Sequence, residues 1–273
     1  MDGRINRRET LKSIGVAAAA VAGVAALAPS SAAAAAAGEE KAPRDYLKAD
    51  AQRLRQLYRT LWSIPRQRGA AGLPMVLTRP AQWDAAPLAA ILAYADAPRQ
   101  VFDATDLAGT WITQIRNTMN AQAWAFGEPD FLLVAAPHGP AGYALLTQAA
   151  WKKYGIAALT DGAFKRNTLI EDPKFKPAAV NDPEDRTGLY SDAGATIPVL
   201  QRRGVVFCAC HNALWELAGV LIANGSNPDG RTQRELVADL TDALIPGVVT
   251  TPGNEAVIGN LQRAGFAYSF AEA

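Results

Sequence analysis

The chain is poor in the side chains that carry most protein chemistry. Its 273 residues include only two cysteines and two histidines. Two cysteines in a protein of this length are no disulfide framework. Charge is also nearly absent as a net quantity: 27 Lys and Arg face 26 Asp and Glu, leaving +1. No basic surplus meets a phosphate backbone and no acidic run forms a tail, while an aromatic content of 8% offers no stacking platform for bases. Nucleic acid is therefore not an expected partner. No segment after the N-terminus approaches the roughly 20 apolar residues that span a bilayer. What the chain does have is apolar residues, 49% of the total, enough for one sizeable core with decoration.

The first 37 residues read as a targeting segment rather than as part of the fold. Arg7-Arg8-Glu9-Thr10-Leu11-Lys12 precedes a mildly apolar stretch, Ile14 to Ala28, then Pro29 and small residues to Ala37. The paired arginines followed by leucine and lysine resemble a twin-arginine export signal, with Thr10 standing where phenylalanine is frequent. The apolar stretch is about 15 residues, short of a span. The resemblance implies passage through the twin-arginine translocase as a folded protein, cleavage among Ala32 to Ala37, and a periplasmic or extracytoplasmic location.

Residues 38–98 read as a helical extension. Tyr46, Leu47, Leu54, Leu57, Tyr58, Leu61 and Trp62 recur at helical spacing between Asp45 and Ile64. A Gly/Pro-rich link, 65–74, leads to a second helical segment, Ala85 to Tyr94. From residue 99 to the C-terminus the pattern alternates. Strands are predicted at 100–104, 131–137, 205–209, 247–251 and 267–270. Helices are predicted at 111–126, 142–154, 191–203, 212–224, 233–244 and 254–264, with a long polar loop at 161–188. Strands separated by helices predict an α/β fold with a mostly parallel five-stranded sheet flanked by helices.

The reactive residues fall at the junctions. Val205 to Asn212 reads Val-Val-Phe-Cys-Ala-Cys-His-Asn: an apolar strand that stops at polar residues and feeds a helix. In an open α/β sheet such junctions line the edge where ligands bind, and a helix N-terminus favours a thiolate. Cys210 is thus the first candidate nucleophile, set against a plain core role for a small apolar side chain. Cys208 points the same way two residues earlier and would resolve a persulfide or sulfenic acid on Cys210, or be core. The two Cα atoms of an extended strand at this spacing lie roughly 6.6 Å apart, near the upper limit of about 6.8 Å for a disulfide, so a bridge between them would be strained. His211 reads either as a base beside the thiol or as a helix-start residue facing water. His138 ends another predicted strand, so it shares the same sheet edge. It is followed by Gly139-Pro-Ala-Gly142, which lets backbone approach a ligand but lacks the nucleotide-loop glycine pattern. Asn212 reads more as a helix cap than as a catalytic group. The Cys-Ala-Cys-His spacing is not that of a structural zinc site, and neither a metal nor an organic cofactor is expected.

Several ordered stretches between Val101 and Phe270 resemble the DsrE/DsrF-like family, small α/β proteins associated with sulfur chemistry. They are Ile115-Arg116-Asn117; Phe131 to Gly139, an apolar strand ending in His-Gly; Ile197 to Val205; Phe207 to Leu214; and Pro246 to Val249 with Leu261 to Tyr268. The family's strand commonly ends in cysteine followed two places later by asparagine, which maps onto Cys210 and Asn212. The resemblance implies a homo-oligomer and a cysteine that carries persulfide sulfur, exchanged with a thiol or persulfide donor or acceptor protein. Cys208, the extension and the 161–188 insertion depart from the family's simple pattern. The competing reading is a non-enzymatic oligomeric binding module whose cysteines are structural.

Overall fold

A computed structural model describes residues 41–271; the arginine pair and the export signal lie outside the described residues. The fold is α/β with a five-stranded, all-parallel sheet flanked by helices. The strands are β1 (Arg99–Ala104), β2 (Leu132–Pro137), β3 (Val206–Cys210), β4 (Val249–Thr251) and β5 (Ala267–Phe270), in the order β4-β3-β2-β1-β5. β2 and β3 are buried at every position, as expected of parallel strands covered on both faces.

Alternation along the strands sorts side chains between two cores. Phe102, Leu133, Ala135, Phe207 and Ala209 face α3 (Trp111–Asn120), α4 (Gln148–Lys153), α5 (Ile197–Arg202), α6 (His211–Ala223) and α7 (Gln233–Asp242). Val101, Val134, Ala136, Val206 and Cys208 face α1 (Gln52–Ser63), α2 (Ala85–Leu92) and α8 (Asn254–Arg263). The N-terminal extension therefore forms, with α8, the cover of one sheet face. Leu54, Leu57, Tyr58 and Leu61 of α1 point inward at the 3–4 residue spacing that made the helix legible. Asp84 ties this layer to the outer strand. Its carboxylate accepts from the Thr250 N–H (2.7 Å) and hydroxyl (2.9 Å) and from the Gln67 N–H (2.6 Å), and its own N–H donates to the Thr250 carbonyl (3.1 Å).

Several boundaries differ from the sequence expectation. The first helix begins at Gln52, not Asp45. The expected helix 142–154 is a 3-10 stretch, Gly139–Leu145, followed by α4; Leu146 is extended and bridges Leu244, and the Thr147 hydroxyl caps the new helix. The expected helix 191–203 is also two pieces. A 3-10 turn covers Asp192–Gly194, and α5 starts at Ile197 with Pro198 in its first turn, where a missing N–H costs nothing. The polar loop 161–188 contains 3-10 turns at Thr168–Ile170 and Pro177–Asn181. Among the described residues, no helix is long and apolar enough to cross a membrane.

Candidate functional site

β3 and β4 are neighbours, yet their outgoing helices diverge. α6 leaves β3 toward one face of the sheet and α8 leaves β4 toward the other. The C-terminal ends of these two strands therefore form a topological switch point, the position at which open α/β sheets bind ligands. Cys210 occupies it. The strand runs one residue further than expected, so Cys210 is the last residue of β3 and the N-cap of α6, which starts at His211 rather than Asn212.

The thiol sits against the start of α8. Its sulfur accepts the N–H of Asn254, the first residue of that helix, at 3.4 Å, while its side chain makes no cap bond to the first turn of α6, whose Asn212 and Ala213 N–H groups act on it only by favouring the thiolate. Its S–H donates to Oε2 of Glu255 at 3.9 Å. The other oxygen of Glu255 lies 3.3 Å from Nδ1 of His138, and Nε2 of His138 lies 3.0 Å from Oδ1 of Asp103. Tyr268 donates to Oδ2 of the same aspartate at 3.0 Å. A continuous polar chain thereby joins β1, β3 and β5, the residue after β2, and α8: Cys210, Glu255, His138, Asp103 and Tyr268.

Electrostatics set the resting state of this chain. Burial pushes the Cys210 thiol above its ordinary value, and the Glu255 charge pushes it further; the three backbone N–H groups pull the other way without winning. The helix N-terminus therefore holds a neutral thiol, not the ready thiolate expected from sequence, because Cys210 is only 3% exposed. His138 is shifted upward. Its hydrogen bond to Asp103 is the main cause, burial opposes it, and the charges of Asp103, Glu255 and Glu216 add to the rise. With a carboxylate at each ring nitrogen, the imidazolium is the form that fits.

The remaining expected residues separate from this group. Cys208 is fully buried against the α1, α2 and α8 layer, and burial pushes its thiol up to about 12, with Asp84 adding and Arg66 opposing. Both cysteines are free thiols. His211 is buried, its Nε2 lies 2.8 Å from the Pro74 carbonyl, and its ring packs near Trp215. Burial lowers its pKa, and no hydrogen bond links it to Cys210, so it braces segment 73–77 against α6 rather than serving the thiol. Asn212 is exposed in the first turn of α6 and is not the cap. It lies close over Gly253, where a Cβ would come within 2.9 Å of its Nδ2. Gly139 takes a positive φ of 53° at the start of the 3-10 stretch and turns the chain out of β2 behind His138.

No protein-family model, no curated protein and no solved structure matches the chain.

The site is thus defined by its own geometry. Sequence reasoning missed Asp103, Asn254 and Glu255. Asn254 is fully buried: Nδ2 donates to the carbonyls of Pro137 (2.8 Å) and Cys208 (2.9 Å), and Oδ1 accepts from the Thr251 hydroxyl (2.6 Å). It pins the ends of β2, β3 and β4 in register and so fixes His138 relative to Cys210. The available signal was positional, because Thr251-Pro-Gly-Asn-Glu255 is a second strand-to-helix junction of the same kind as Cys210-His211. Among the described residues, no group of three or more His, Cys, Asp or Glu side chains is arranged to hold a metal ion.

Proposed function

We propose that this protein is an exported, DsrE/DsrF-like handler of sulfane sulfur, with Cys210 as the sulfur-accepting nucleophile. The observation that carries the reading is the position of the Cys210 thiol at the switch point, met by the Asn254 N–H at the start of α8 and joined through Glu255 to His138. In the proposed step, the Cys210 thiolate attacks the terminal sulfur of a persulfide R–S–SH. The S–S bond of the donor breaks, Cys210–S–SH forms, and R–S⁻ leaves; sulfur, protons and charge balance without an added oxidant. The converging N–H groups stabilise the sulfur anion on Cys210 before and after transfer. The proton of the resting thiol ends on the departing R–S⁻. Cys208, deep in the core with its raised pKa, takes no part in the first step.

A variant series tests this reading. Protein loaded with a small-molecule persulfide should gain one sulfur atom at Cys210. Cys210→Ala should abolish the gain, while Cys208→Ala should retain it. Failure to load the wild-type protein would sink the proposal.

One observation favours the second reading, an oligomeric binding module with structural cysteines. The β4 edge of the sheet is closed by Asp84, whereas β5 exposes Tyr268 and Phe270, each 46% accessible. If Phe270→Lys dissociates an oligomer but leaves sulfur loading intact, assembly and chemistry are separate properties.

A further inference from the structure

The carboxylate that touches the thiol has a consequence for what the site accepts. Glu255 is 61% exposed, stands between Cys210 and His138, and contacts both. The charged groups acting most strongly on His138 are Asp103, Glu255 and Glu216, and the one acting on Cys210 is Glu255; all are carboxylates. Glu216 is exposed on the second turn of α6 and also acts on Tyr143 of the 3-10 stretch. A molecule bringing its sulfur to Cys210 therefore meets the Glu255 carboxylate, with the one imidazolium beside it already engaged on both sides.

We infer that Glu255 is the specificity-determining residue of the site and selects a sulfur compound that carries a positive charge next to its reactive sulfur, excluding oxyanionic donors such as thiosulfate. The inference rests on the thiol reading above. Two effects of the same residue act together. The Glu255 charge attracts an ammonium or guanidinium and repels an oxyanion. Burial is the main reason Cys210 stays protonated and the Glu255 charge adds to it, so a cation paired with Glu255 eases loss of the thiol proton to the compound that approaches. A small aminothiol persulfide and a protein cysteine flanked by lysine or arginine share this chemistry.

The test compares two thiol reagents that react identically and differ in charge, aminoethyl and sulfonatoethyl methanethiosulfonate. Each forms a mixed disulfide with Cys210 and releases methanesulfinate. Rates are measured on the full folded chain at neutral pH in the Cys208→Ala background. Each is divided by the same reagent's rate with a neutral model thiol. One carboxylate about 6 Å from the reagent's charge in a water-like dielectric gives the cation an advantage of about tenfold. Glu255→Gln should bring the ratio close to that of the model thiol, and should at the same time speed labelling by neutral iodoacetamide. Glu216→Gln should lower the ratio part of the way. A wild-type ratio equal to the model thiol's, or a tenfold ratio that survives Glu255→Gln, overturns the inference and leaves the thiol reading standing. No labelling of Cys210 by iodoacetamide in the folded protein overturns both. Binding of the two free persulfide classes then separates the sources: competition by cysteamine persulfide alone points to a small molecule, and competition by a Lys-Cys-Lys peptide persulfide alone points to a protein.

Discussion

Replacing Asn254 by alanine should cost the protein far more than its single small side chain implies. The residue is fully buried, and its amide satisfies the carbonyls of Pro137 and Cys208 together with the Thr251 hydroxyl. Alanine takes a side-chain donor from two buried carbonyls, each worth about 1–3 kcal/mol when left short of a partner. The Thr251 hydroxyl keeps its bond to the Ala209 carbonyl (3.2 Å), so it adds little. With the small cavity included, the expected loss is about 3–5 kcal/mol. For a domain of this size that is a fall in Tm of roughly 10 °C or more, at about 2–4 °C per kcal/mol. Urea unfolding at constant m-value measures it directly. Asn254→Asp provides the control. Its carboxylate turns lone pairs toward the same two carbonyls, so it should be worse than alanine at neutral pH and recover as pH falls and the acid becomes a donor. A loss below about 1 kcal/mol for alanine, or an aspartate variant without pH dependence, would refute the view that Asn254 pins the strand ends.

Further outcomes follow from the same geometry. His138 has a folded-state pKa above its unfolded value. The stability it adds over His138→Gln should be fully present below pH ~6.5 and should vanish as pH rises through the folded value, read from paired urea titrations across pH. His211 has the opposite sign: its burial is neutral in effect above pH ~6.5 and increasingly destabilising below it, so the acid limb of the wild-type stability curve should flatten in His211→Gln. Asp84→Ala strands the buried Thr250 N–H and removes the acceptor of the Gln67 N–H and should cost about 1–3 kcal/mol; limited proteolysis should then cut within residues 65–84, and an unchanged digestion pattern would count against the tie. Cys208→Ala removes one buried sulfur from a packed layer and should cost about 1–2 kcal/mol while leaving the alkylation rate of the folded protein unchanged.

The sequence reading located all five strands, because each combines an apolar run with a polar or glycine-rich boundary, and it placed Cys210 and His138 at strand ends. It lost accuracy where tertiary contacts override local pattern. The pattern predicts a helix from Gly142, but the turn after His138 and the Leu146–Leu244 bridge put residues 139–145 on a 3-10 path. Pro198 marked the start of α5 in plain view, since proline belongs in a first turn and not in the middle of a helix. The site itself was half legible. Rarity drew attention to the cysteines and histidines, and rarity is blind to Asp103, Asn254 and Glu255, which are common residue types. Their importance comes from strand order: only when β3 lies between β2 and β4 do β2's His138 and α8's Glu255 meet at Cys210. His211 misled for the opposite reason. It is adjacent in sequence to the thiol, but successive residues at the strand end point to opposite sides, and its ring turns to Pro74.

The sulfur state of Cys210 is read by intact-mass and site-localised mass spectrometry on protein purified without reductant from its native compartment. The proposed chemistry predicts a population carrying one additional sulfur at Cys210, removed by a mild reductant and absent from Cys210→Ala. Protein in which both cysteines are unmodified thiols, with neither labelled until denaturant is added, would show that Cys210 is a core residue and contradict the sulfur-handling function.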